Sequence, residues 1–101
     1  MEAKQGYEPL ALVLFEALQQ AQSGKGHERH GSGKPFLDQP IFNLAEDHGP
    51  AFLSGQVAKK ASESLGLFAR EPDGKKAQAE CLGMIVYAAA LWLYFEQHKT
   101  V

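Results

Sequence analysis

The chain is 101 residues long, 45% hydrophobic and 22% charged, which fits one globular domain over residues 1–101 and leaves no material for a second core. Its formal net charge of -2 excludes a general nucleic-acid coat, so any anion binding has to come from a local cluster. The single cysteine, Cys81, excludes an internal disulfide and fits a reducing, cytoplasmic setting.

Helical periodicity dominates. Leu10, Val13, Leu14, Ala17, Leu18 and Ala21 recur at steps of three and four and predict a first helix over about Pro9 to Gln22. Ser23 and Gly24 end it. Gly24 to Phe36, GKGHERHGSGKPF, holds four glycines and no apolar period, so it reads as a long loop, and loops of this length are commonly functional or unstructured. Asp38 is placed to cap a short second helix with Pro40 in its first turn and Ile41, Leu44 and Ala45 as its apolar face. His48 and Gly49 close it. A third helix follows Pro50 to about Leu67, with Phe52, Leu53, Val57, Ala61 and Leu65 as its buried stripe and Lys59, Lys60 and Glu63 off it.

Glu71 to Gly74 has turn composition. The last helix is expected from about Lys75 to Gln97. Its centre, Cys81 to Phe95, is apolar all round; it falls short of the roughly 18 residues of a membrane span and reads as a buried helix. Such a helix needs cover on every side. Three short neighbours supply little, and Gly83, Ala88, Ala89 and Ala90 permit close approach, so a homo-oligomer through residues 81–95 is expected; a helix wrapped by its own chain is the alternative. The expected fold is thus all-α, a bundle of about four helices with a Gly-rich basic loop between the first two. His98 is expected to face solvent. No export signal opens the chain, and no membrane contact is expected.

The loop carries the chemistry. Lys25, Arg29 and Lys34 supply cationic donors and His30 a switchable one, while Gly26 and Gly33 let backbone N–H groups turn toward a ligand. That set suits phosphate or ribose: arginine offers a planar fork and lysine a point charge. Glu28 and Gln39 stand as polar auxiliaries, and Lys59 and Lys60 as further charge from the third helix. Tyr7 and Phe36 are candidates to stack on a base. The pattern matches neither GxxxxGK[ST] nor GxGxxG and follows a helix, which excludes P-loop and Rossmann nucleotide folds. His27 and His30 on a glycine loop lack the helical face and partner ligands of a zinc site, so no metal and no cofactor are expected. A solvated surface loop remains the plain alternative.

The segment GKGHERHGSGKPFLDQPI resembles a group of small phage- and prophage-encoded proteins of unknown function that carry a Lys-Gly-x-Glu-Arg-His-x-x-Gly-x-Pro-Phe-x-x-Gln-Pro-Ile signature. The matching positions are Lys25, Gly26, Glu28, Arg29, His30, Gly33, Pro35, Phe36, Gln39, Pro40 and Ile41, and the likeness covers about residues 10 to 96. In size, helical character and expected assembly the chain is also similar, by class alone, to phage proteins that sequester nucleotide immune signals. That similarity implies an anti-defence role and assigns no residue. A fainter likeness links Glu80 to Met84 with the E-x-x-D helix of all-α NTP pyrophosphatases, but Gly83 stands at the aspartate position and Ser62 and Ser64 leave Glu63 without its motif. Magnesium would then lack oxygen ligands. The expectation is a non-catalytic protein that sequesters a phosphorylated small molecule such as a cyclic nucleotide or ADP-ribose derivative, with no catalytic residue. The alternatives are a nucleotide hydrolase using His27 or His30 with Glu28 or Asp38, and an inhibitor that docks on a host protein.

Overall fold

The computed structural model describes residues 3–23 and 34–100. Among these the fold is all-α, as its periodicity predicts: α1 Glu8–Ser23, a 3-10 turn Phe36–Asp38, α2 Pro40–His48, α3 Ala51–Arg70 and α4 Lys75–His98. α3 and α4 pack most extensively, α1 lies on α4, and α2 sits across both α3 and α4.

The turns follow from local chemistry. Pro40 starts α2 from an extended Gln39 (φ -77°, ψ 157°), because proline needs no helical N–H partner and disfavours helical backbone before it. Asp38 does not cap α2 as expected; it ends the preceding 3-10 turn, whose N–H groups bond to Pro35 and Phe36 carbonyls. Between α3 and α4, Gly74 adopts φ 80°, where a side chain would be strained, and Asp73 Oδ1 accepts from the Lys75 N–H at 3.0 Å. α3 runs one turn past the expected Leu67, to Arg70.

The core sits where α2, α3 and α4 meet. Ile41, Phe42, Ala45, Leu53, Tyr87 and Ala90 are buried there, with Leu53 fully enclosed. Phe36 packs edge-on against Phe42 at 5.2 Å between centroids, a favoured aromatic geometry. Leu44, expected inside, is partly exposed while Phe42 takes its place. Leu65 is 76% exposed and leaves the expected stripe, because among the described residues no element lies over that side of α3's last turns. His98 is likewise held rather than free: Nε2 meets Glu46 Oε1 at 2.6 Å, Nδ1 meets the Tyr94 carbonyl at 2.8 Å, and the ring stacks on Tyr94 at 3.9 Å. It ties the end of α4 to α2.

α1 and the outer side of α4 differ from the core. α1 buries Ala17 alone, while Leu10, Val13, Leu14 and Leu18 of its expected apolar stripe are exposed. The described residues of its own chain leave α4 largely uncovered: an 18-residue window of mean hydropathy 1.3 is only 11% buried within them, and by length and composition this helix could cross a membrane. The apolar run is short, but the helix around it is 24 residues long.

Candidate functional site

The most built feature lies between α1, α3 and α4. Lys60 of α3 lays its stem across α4 at Gly83, where an added Cβ would stand 3.0 Å from Lys60 Cε and 3.1 Å from Cδ. Only glycine leaves that seat open. Gly83 therefore admits a neighbour's side chain rather than a neighbouring helix's backbone. The ammonium lies 3.5 Å from Glu80 Oε2 and 5.8 Å from the Tyr87 ring centroid, within cation–π range. Lys60 was expected off the buried stripe; its side chain is in fact only 13% exposed. Long lysine stems are readily buried while their heads find polar company. Glu80 Oε2 is itself buried and has no hydrogen-bond partner among the described residues, an arrangement that carries a desolvation cost.

This trio borders a cavity of about 320 Å³, whose wall also includes Phe36, Gln39 and Lys76. The volume is in the range of small-molecule sites. Both lysines of the wall face a carboxylate: Lys60 faces Glu80, and Lys76 pairs with Glu71 at 3.1 Å on the exposed rim. A second hollow of about 540 Å³ lies between α1 and α4 and shares Ala21, Phe36, Gln39 and Val86 with the first. Gln20 anchors the α1 side of the cavity by donating to the Ala79 carbonyl at 3.4 Å.

Of the residues expected to bind ligand, Lys25, Gly26, Glu28, Arg29, His30 and Gly33 lie outside the described residues, as does His27. Lys34 lines the second hollow, and its carbonyl accepts from the buried Gln39 side chain at 3.1 Å. Gln22 lines the same hollow. The chain thus departs into the Gly24–Gly33 segment, and returns from it, beside these hollows. Phe36 and Gln39 border both. Tyr7 is exposed and borders neither, and Lys59 is exposed while its neighbour Lys60 turns in.

Glu80, Gly83 and Tyr87 were not among the expected site residues. They follow the i, i+3, i+7 spacing of one helical face, but that face is indistinguishable from core until Lys60 is known to cross it. Among the described residues no three His, Cys, Asp or Glu side chains stand together. No protein-family model, no curated protein and no solved structure matches the chain.

Proposed function

We propose that the protein is a non-catalytic binder of a small phosphorylated molecule, held in the cavity between α1, α3 and α4. The observation that carries this reading is the inward-turned Lys60: a mostly buried lysine side chain in a cavity wall, its ammonium 3.5 Å from Glu80 Oε2. Lysine serves a phosphate as a point charge, and partial burial of its side chain strengthens that attraction. Glu80 holds the ammonium at the cavity wall from behind. Phe36 offers a ring face or edge to a base, and Lys76 and Lys34 add charge at the rim. Lys25, Arg29 and His30, a few residues along the chain from Gln22 and Lys34, are the further phosphate ligands in this reading.

In full, the ligand is a signalling nucleotide, a cyclic nucleotide or ADP-ribose derivative, and the role is sequestration in the cytoplasm of a phage-infected cell. The signature resemblance supports the phage origin, and the inward-turned lysine in the cavity wall supports the ligand class. Titration calorimetry with cyclic dinucleotides and ADP-ribose compounds tests it. Binding is expected for the native chain and a loss of about tenfold or more for Lys60→Met. No heat from any of these ligands would sink the reading. Nucleotide recovered intact after heat denaturation separates sequestration from hydrolysis.

A further inference from the structure

α4 carries a second apolar face that the described residues of its own chain leave open. Cys81, Ile85, Ala88, Trp92 and Phe95 recur at alternating steps of four and three residues, about half a turn around the helix from the buried Gly83, Tyr87 and Ala90. Alternating steps of this kind form the seam of a helix pair, in which side chains of one helix fill holes on the other. The next positions in the series, Gln78 and Lys99, are polar, so the seam is about two heptads long. Trp92 is 62% exposed, Ala88 and Phe95 are exposed, and Cys81 and Ile85 are half-covered.

α1 extends this face. Leu14 and Leu18, both exposed, line the 540 Å³ hollow together with Ile85 and Ala89, so a helix laid in the seam would meet them too. Leu14 and Leu18 of α1 and Trp92 and Phe95 of α4 are 40–62% exposed, and large apolar side chains gathered in the open mark interaction surfaces. A standard interface takes about 800 Å² from each partner.

We infer that a second copy of the chain packs on this seam, as an antiparallel α4–α4 pair whose twofold axis passes Ala88. Antiparallel pairing sets Cys81 and Ile85 against the partner's Phe95 and Trp92, small against large, and Ala88 against its own counterpart. Parallel pairing would instead oppose Trp92 to itself and Phe95 to itself, with gaps at Cys81. An isologous contact of this type closes on itself. A lipid surface is the less suited occupant: α1, which borders the seam, carries Glu8 and Glu16 and no lysine or arginine, whereas helices that lie on membranes are rich in basic residues. The inference stands apart from the ligand reading.

Sedimentation velocity on the full chain tests it. The native protein should sediment at twice the chain mass, and Trp92→Glu and Ala88→Glu as single chains with helical circular dichroism retained. Leu65→Glu, an exposed change off the seam, should leave the pair intact. Oxidation adds the orientation: Ala88→Cys in a Cys81→Ser background should cross-link chain to chain, whereas native Cys81 should not, since antiparallel pairing separates the two copies of Cys81 by roughly 20 Å along the axis. A native chain that stays single at about 100 µM, seam variants that remain paired, or a Cys81 cross-link would each overturn the proposal. So would co-flotation of native protein with phosphatidylcholine/phosphatidylglycerol vesicles in place of self-association.

Discussion

The two sides of α4 make the instructive contrast in this molecule. Toward α2 and α3, Tyr87 and Ala90 join Ile41, Phe42, Ala45 and Leu53 in a closed core. On the opposite side, Trp92 and Phe95, and Leu10, Leu14 and Leu18 of α1, are as apolar and lie open. Residue type does not separate these regions; neighbours do. Among the described residues α2 and α3 fold back across one face of α4, and α1 is too narrow to cover the rest. A helix that is apolar all round therefore reports how much cover it needs, not whether its own chain provides it.

The sharpest way to break the contrast is to empty one side. Leu53→Ala should cost about 2–5 kcal/mol in denaturant unfolding, because the site is fully enclosed and leaves a cavity. Leu65→Ala, on the same helix but exposed, should change stability by less than about 0.5 kcal/mol. Similar losses at both positions would mean that the last turns of α3 have cover not seen here.

Next in size is the ion pair at the cavity. Lys60→Met keeps the stem over Gly83 but leaves Glu80 mostly buried without its cation, at a cost of about 1–3 kcal/mol. Adding Glu80→Met should recover most of that loss, since the penalty lies in the stranded charge and not in a missing contact. A double-mutant cycle with no coupling would show that the pair is not formed.

Sequence periodicity anticipated the helices well because backbone periodicity and turn chemistry are local. The Glu71–Gly74 turn and the start of α4 at Lys75 appear where composition places them. Burial was less legible. Leu10, Leu14 and Leu65 have the spacing of buried residues but lack a covering element, and spacing cannot report what lies opposite. The site was legible only in part: Phe36, Gln39 and Lys34 border the hollows as their neighbourhood in sequence allowed, while Lys60, Glu80 and Gly83 meet through an α3–α4 crossing with no signature in either helix alone. His98 was missed for the same reason, since its partner Glu46 is remote in the chain.

A small expected change in stability is also the most discriminating for function. Gly83→Ala should improve helix propensity in α4 by roughly 0.5–1 kcal/mol. The added Cβ would also meet Lys60 at 3.0 Å, and the neighbouring atoms are the movable end of a flexible side chain, so the lysine shifts rather than the backbone. These effects oppose, and the net change in unfolding free energy should stay within about 1 kcal/mol. The ammonium, however, leaves its place between Glu80 and Tyr87, and a ligand that depends on it should bind about tenfold more weakly. Unchanged stability with weakened binding would show that Gly83 is there to seat Lys60. Unchanged stability with unchanged binding would return Gly83 to ordinary helix packing and move the phosphate site elsewhere in the molecule.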